Sequence, residues 1–125
     1  MTPTDPTVRK NMTSNLKTCV LKIIGSHVGC INRVERKKLL KILARDYGIV
    51  VSDRIMRRAI EELRDTDPDG AKICSSLDGG YYMAANVTEL ERYLNTDLSR
   101  AVKILKRVNR QRRVAGLSFI QRPLF

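Results

Sequence analysis

The stretch that decides the fold is SDRIMRRAIEELRDTDPDGAKICSSLDGGYYMAA, which runs from Ser52 to Ala85. Ser52 is a good N-cap because its hydroxyl can accept a hydrogen bond from a free amide of the first helical turn. Asp53 adds a negative charge at the positive end of the helix dipole. Apolar residues then recur at helical spacing and predict one buried face, made by Ile55, Ala59, Ile60 and Leu63. An amphipathic helix is therefore expected to begin at Ser52.

A β-hairpin is predicted directly behind this helix. Asp65–Gly70 is dense in turn residues, after which Ala71–Ser75 can extend. Leu77–Gly80 can then turn and Tyr81–Ala84 can return. Asp-Gly and Gly-Gly between two short apolar runs are a good signal for a hairpin.

Two further helices are predicted upstream, over about Asn15–Ser26 and about Val34–Asp46. Between them, Gly29–Asn32 is a short extended piece that can pair as a minor strand, and Gly48 suits the C-cap of the second helix. The apolar residues expected to face the core are Leu16, Cys19, Val20, Ile23 and Ile24 in the first helix and Leu39, Leu40, Ile42 and Leu43 in the second.

A long fourth helix is predicted after the hairpin, as far as about Arg113. Asn86 can cap it, with Glu89 as the reciprocal partner of a capping box. Its apolar residues alternate at spacings of four and three, which suits packing on the domain or a coiled-coil-like contact with another chain. They are Leu90, Leu94, Leu98, Ala101, Leu105 and Val108.

Three helices, a hairpin and a final helix, in that order, describe a winged helix (winged helix-turn-helix). The predicted fold class is mainly α with a small β-hairpin and an extended C-terminal helix. We expect residues 1–14 to be a flexible leader, residues 15–113 to form the winged-helix domain, and residues 114–125 to be a flexible C-terminal tail.

The composition favours a polyanionic partner. The chain has 125 residues and carries 24 Lys and Arg against 13 Asp and Glu, a net charge of +11. No run of about 18 apolar residues exists, so no membrane span is expected. Three widely spaced cysteines and a single histidine, His27, fit neither a disulfide framework nor a zinc signature. We expect a cytoplasmic protein without a metal or cofactor.

The helix that begins at Ser52 is the first candidate site for DNA. Arg54, Arg57 and Arg58 lie off its buried face, and like charges at this spacing repel each other unless a phosphate is near. The major groove admits an α-helix whose first residues meet base edges. We expect Arg54 and Arg57 to contact bases and Arg58 to contact a phosphate, with Ser52 part of the same site.

An alternative reading of these arginines is structural, with Arg57 paired to Glu61 and Arg58 paired to Glu62 across one helical turn. The tip of the hairpin carries Asp78 where a DNA-binding wing would favour Lys or Arg. The only aromatic residues near the hairpin that can stack on single-stranded bases are Tyr81 and Tyr82.

A second basic cluster ends the fourth helix, with no acid among its members, and predicts an electrostatic footprint on DNA. The alternative is a solvated face beside the apolar seam. The cluster consists of Arg100, Lys103, Lys106, Arg107, Arg110, Arg112 and Arg113.

The segments DRIMRRAIEELRD, ICSS and GGYYMA, followed by a long helix with Ser99-Arg100-Ala101, resemble small winged-helix proteins of phages and other mobile genetic elements. The resemblance covers about Val34–Val108 and implies DNA binding, often linked to replication. The segment DTDPDG is longer than the turn usual in that family.

The last five residues, QRPLF, resemble the pentapeptide with which bacterial replication and repair proteins bind the sliding clamp. Leu124 and Phe125 would fill an apolar pocket and Gln121 would hydrogen-bond beside it, with Gly116–Ile120 as a tether. Arg122 and Pro123 depart from the usual residues of that motif. The alternative is that this apolar tail folds back onto the core.

No P-loop, HExxH, GxSxG or Gly-rich dinucleotide turn occurs in the sequence, so an enzyme is not expected. The sequence predicts a non-catalytic DNA-binding protein that assists replication and tethers to the sliding clamp. Both single-stranded and double-stranded DNA fit this prediction. The alternatives are a repressor that dimerises through the fourth helix and reads a palindrome, and a protein-interaction module.

Overall fold

The structure is a computed structural model that describes residues 6–120, with side chains for residues 14–120. These residues are mainly helical, with one small sheet. The helices are α1 (Pro6–Gly25), α2 (Arg36–Tyr47), α3 (Asp53–Thr66) and α4 (Val87–Val114), and the strands are β1 (Val34–Glu35), β2 (Ile73–Ser75) and β3 (Gly80–Met83). The chain divides into two compact units, residues 1–90 and residues 91–125.

The sheet is antiparallel, with the strand order β1-β3-β2. The β2–β3 hairpin confirms the prediction for this part of the sequence, and Cys74 pairs with Tyr82 within it. The predicted minor strand at Gly29–Asn32 is formed only in part: the Gly29 amide donates to the Met83 carbonyl at 2.8 Å, but Cys30–Asn32 form a 3₁₀ turn. The third strand of the sheet follows this turn, where Val34 pairs with Tyr81. Since Val34 and Glu35 form β1, α2 begins at Arg36 and not at Val34.

The core of the first unit lies between α1, α2, α3 and the sheet. The predicted stripe of α1 is confirmed, because four of its five residues are buried and Cys19 packs partly buried against them. In α2, Leu39 and Leu43 are buried and Leu40 and Ile42 are partly buried. Where α1 packs on α3, Lys17 Nζ lies 2.5 Å from a carboxylate oxygen of Glu62.

The buried face of α3 differs from the prediction at one position. Ala59, Ile60 and Leu63 are buried as expected, but Ile55 is 51% exposed and Met56 is fully buried in its place. The two residues are adjacent on the helix, about 100° apart around its axis, and apolar periodicity alone does not separate them at the first turn. Met56 fits the core because its unbranched side chain adapts to irregular gaps.

Helix α1 begins at Pro6, so that residues 6–14 of the expected leader are helical. Proline is favourable at the first helical position, where the amide that it lacks would have no partner within the helix. The segment was expected to be a leader because it is polar, but polar residues can extend a helix whose later turns carry the apolar stripe.

The predicted caps fix the ends of the helices. Ser52 Oγ accepts a hydrogen bond from the Ile55 amide at 3.2 Å, and Gly48 ends α2 in the left-handed conformation with φ of 65°. Asn86 Oδ1 accepts from the Glu89 amide at 2.9 Å, as a capping box requires. The Glu89 carboxylate, however, accepts from the amide of Ala85 and not from that of Asn86.

The turn after α3 is held against the end of that helix. Asp67 Oδ1 accepts hydrogen bonds from the amides of Asp69, at 2.8 Å, and Gly70, at 2.9 Å. A Cβ atom at Gly70 would lie 2.3 Å from the Leu63 carbonyl oxygen, so only glycine fits. The DTDPDG segment is therefore a packed turn that sets where β2 starts.

Candidate nucleic-acid interface

The first two turns of α3 carry the arginines that the sequence singled out. Arg54, Arg57 and Arg58 are all exposed and lie off the buried face, as the periodicity predicts. Ser52, at the start of the same helix, uses its hydroxyl oxygen to cap the Ile55 amide. The helix therefore presents three guanidinium groups within its first six residues.

The ion pairs of this helix differ from the alternative that the sequence left open. Arg57 Nε lies 2.9 Å from Asp53 Oδ2, one turn towards the N-terminus, and does not pair with Glu61. Glu62 pairs with Lys17 of α1 and not with Arg58. Because acid and base are both about half exposed, the Asp53–Arg57 pair is worth no more than about 1 kcal/mol. A phosphate can therefore compete for Arg57.

Arg36, the first residue of α2, is a basic residue of this site that the sequence did not single out. Its Nη1 lies 3.9 Å from the same Asp53 oxygen that binds Arg57. A Cβ atom at Gly79 would lie 3.5 Å from Arg36 Nε, so its guanidinium also borders the β2–β3 turn. No local pattern marks Arg36, because only the fold brings the start of α2 next to the start of α3 and the hairpin.

Asp78 at the β2–β3 turn does not present an unpaired negative charge. Its carboxylate accepts a hydrogen bond from Ser76 Oγ and two from Arg33, whose Nε and Nη2 each lie 2.9 Å away. These bonds, that of Ser76 first and that of Arg33 second, lower the pKa of Asp78 to about 2. Asp78 stands where a DNA-binding wing would favour Lys or Arg, but its negative charge is neutralised locally by Arg33.

Arg64 ties the hairpin to α3. Its Nε donates to the Ile73 carbonyl at 3.1 Å, its Nη2 donates to Ser75 Oγ at 2.6 Å, and its guanidinium carbon lies 5.9 Å from the centre of the Tyr81 ring. Tyr81 and Tyr82 are both buried, and burial raises the pKa of each phenol. These two rings are therefore parts of the core and do not offer exposed faces for base stacking.

The basic cluster of α4 belongs to the second unit. Lys103, Lys106, Arg107, Arg110 and Arg113 are exposed, as expected. Two members have partners within the chain: Arg100 Nη1 lies 3.8 Å from Asp97 Oδ1, and Arg112 Nε donates to the Ser118 carbonyl. Five exposed cations therefore line this helix from Lys103 to Arg113.

The segment after α4 turns back along the helix, where a tether was expected. Gly116 takes φ of 74°, and the Leu117 amide donates to the Arg112 carbonyl at 2.7 Å. Asn109 then holds the backbone of Ile120 twice: its Oδ1 accepts from the Ile120 amide at 2.9 Å and its Nδ2 donates to the Ile120 carbonyl at 3.3 Å. We call residues 115–120 the C-terminal hook.

Gln121, Leu124 and Phe125, the predicted clamp-binding residues, lie outside the described residues. Within residues 14–120, Cys19, Cys30 and Cys74 are free thiols, and no group of histidine, cysteine and carboxylate side chains is arranged to hold a metal ion. None of the helices described combines the length and the apolar character needed to cross a bilayer.

Comparisons with protein families, with curated proteins and with solved structures found no match for this chain.

Proposed function

We propose that this chain is a non-catalytic winged-helix protein that binds DNA through α3 and the turn of the β2–β3 hairpin. The order α1-β1-α2-α3-β2-β3 with sheet order β1-β3-β2 supports the winged-helix assignment. The observation that carries the function is that Arg54, Arg57 and Arg58 are exposed on the first two turns of α3, with Arg36 of α2 beside the same helix start. Asp53 pairs with two of these arginines, Arg36 and Arg57.

In this proposal α3 enters the major groove, where Arg54 and Arg57 contact base edges and Arg58 contacts a phosphate. Arg36 lies between α3 and the β2–β3 turn and serves as a further phosphate contact. Because Tyr81 and Tyr82 are buried, the site lacks the exposed aromatic platforms that single-strand binders use. We therefore propose duplex DNA as the preferred ligand.

The α4 cluster supplies a second basic surface in this proposal. Lys103, Lys106, Arg107, Arg110 and Arg113 are exposed, and Arg112 is partly covered by its bond to the C-terminal hook. Contacts of this kind add affinity without sequence preference, and they weaken as salt displaces them.

The α3 site is tested by two variants that lose the same charge. Arg54→Gln, Arg57→Gln and Arg58→Gln together remove the proposed contacts and should weaken duplex binding at least tenfold, since each base contact is worth about 1–3 kcal/mol. The matched control is Lys22→Gln, Lys41→Gln and Arg45→Gln, three exposed cations away from the start of α3. Equal losses in the two variants would show that only net charge matters and would remove the α3 site.

We further propose a role in the replication of a phage or mobile element, with the terminal QRPLF segment as a contact for a bacterial sliding clamp. Gln121, Leu124 and Phe125 carry the resemblance. A protein that held both DNA and clamp would raise the local concentration of each for the other.

The clamp contact is tested by capture of the full chain on immobilised bacterial sliding clamp. Leu124→Ala with Phe125→Ala should abolish binding, whereas Leu117→Ala, which truncates an exposed leucine of the hook, should retain it. Binding that survives loss of Leu124 and Phe125 would refute the proposal.

A dimeric transcriptional repressor is the second candidate, and the half-exposed leucines of α4 favour it because such a seam can join two copies. A two-fold footprint with half-sites about one helical turn apart would support this candidate. Sequence-independent binding would support the replication role, and no DNA binding at low salt would leave a protein-interaction module.

A further inference from the structure

The apolar seam of α4 contains leucines that are about half exposed. Leu94 is 51% exposed and Leu98 is 58% exposed, and Ile104 beside the seam is 51% exposed. We define the seam as Leu94, Leu98, Ala101, Leu105 and Val108. Leucines left half open to water in such a row indicate a surface that is completed by a partner.

The spacing of the seam identifies the kind of partner. Steps of four, three, four and three residues give the 3.5-residue period with which two helices wind around each other. From Leu94 to Val108 the seam spans about 21 Å of helix. Most residues directly beside it carry no charge, among them Val102 and Ile104 next to Ala101, and Asp97 is the one acid there. A second helix can therefore approach closely around Ala101. A second copy of this helix has the same period and therefore fits as the partner.

The charges of α4 select the orientation of that copy. Residues 91–98 contain two acids, Glu91 and Asp97, and one base, whereas residues 100–113 contain seven bases and no acid. In a parallel pair the two basic segments would lie side by side. In an antiparallel pair each lies beside the more acidic start of the other helix, and most of the cations are separated by more than a Debye length of about 8–10 Å.

We propose that two copies of the chain associate through the α4 seam in antiparallel orientation. The 3.5-residue repeat places Lys103, Lys106, Arg107 and Arg110 away from the seam, so these cations stay exposed in the dimer. This inference does not depend on DNA binding, because it rests on the apolar and charge patterns of the second unit alone.

Association is tested by sedimentation equilibrium with a matched pair of variants. Leu98→Asn places a polar side chain in the seam and should raise the dimer dissociation constant at least tenfold. Ser99→Asn, the next residue but outside the seam, should change it less than twofold. Helix content measured by circular dichroism should be the same in both. A monomer at every accessible concentration of the unmodified chain would overturn the proposal, as would equal effects of the two variants.

Orientation is tested by distances between spin labels on cysteines introduced one at a time, as Arg92→Cys and Arg110→Cys. The background carries Cys19→Ala and Cys30→Ser and retains Cys74, because burial raises the pKa of that thiol to about 11 and leaves it unreactive. If the antiparallel pair is centred on Ala101, the two labels introduced by Arg92→Cys lie about 27 Å apart along the helix axis. The two labels introduced by Arg110→Cys are separated by the same distance. Short distances, near the helix spacing of about 10 Å, at both sites would mean a parallel pair and would overturn the orientation.

Discussion

At Gly70 the backbone passes so close to the end of α3 that a single methyl group does not fit. A Cβ there would meet the Leu63 carbonyl oxygen at 2.3 Å, which is backbone that cannot rotate away. Gly70→Ala should therefore destabilise the protein by about 1–3 kcal/mol, measured by urea unfolding. Gly25→Ala is the matched control, because its Cβ would meet nothing within 4 Å, and it should be neutral or slightly stabilising. Equal stability of both variants would contradict this packing of the turn.

At Asp78 the sign of a pH effect follows from the lowered pKa of about 2. The unfolded carboxyl titrates near 3.9, so the contribution of Asp78 to stability is present above about pH 4 and is lost as the pH falls towards 2. Ser76→Ala and Arg33→Gln should each raise the pKa of Asp78, because the hydrogen bonds of both side chains lower it. Carboxyl titration by NMR measures both values. An Asp78 pKa near 3.9 in the unmodified chain would contradict the geometry of the turn.

At the scale of an element, the start of α3 depends on its cap. Ser52→Ala leaves the Ile55 amide without its side-chain acceptor and should cost about 1 kcal/mol of stability. Ser52→Asp restores an acceptor and should recover most of the lost stability. Thermal unfolding measures both variants. A Ser52→Ala protein as stable as the unmodified chain would show that the cap is not formed.

The C-terminal hook depends on one side chain of α4. Asn109→Ala removes both hydrogen bonds to Ile120 and should speed exchange of the Ile120 amide by tenfold or more, measured by hydrogen exchange. Asn95→Ala, an exposed asparagine earlier in the same helix, should leave that amide unchanged. An Ile120 amide that already exchanges at the rate of an open chain would mean that residues 115–120 are a free tether.

Sequence patterns predicted the elements better than their boundaries. Caps and turns are local, so Ser52, Gly48 and the β2–β3 turn were found from the sequence. β1 was misplaced because two residues become a strand only when β3 lies beside them, which is a long-range event. The start of α1 was missed because a polar first turn carries no apolar period to mark it.

For the candidate site, the same division between local and long-range information holds. Exposure of Arg54, Arg57 and Arg58 follows from the helical period and was predicted. The pairing of Arg57 with Asp53, the position of Arg36 and the neutralisation of Asp78 by Arg33 depend on contacts that only the fold creates. The hook could not be predicted because its bonds join Asn109 to the backbone of a residue eleven positions away.

At the scale of the whole molecule, the central proposal is that the chain binds duplex DNA through many phosphate contacts. The net charge of +11 and the cations of α3 and α4 support it. The measurement that tests it most directly is fluorescence anisotropy with mixed-sequence duplex and single-stranded DNA across a salt series. We predict tighter binding to duplex, with log K falling against log salt at a slope of about −4 to −6. A slope near zero, or no binding at low salt, would contradict the claim.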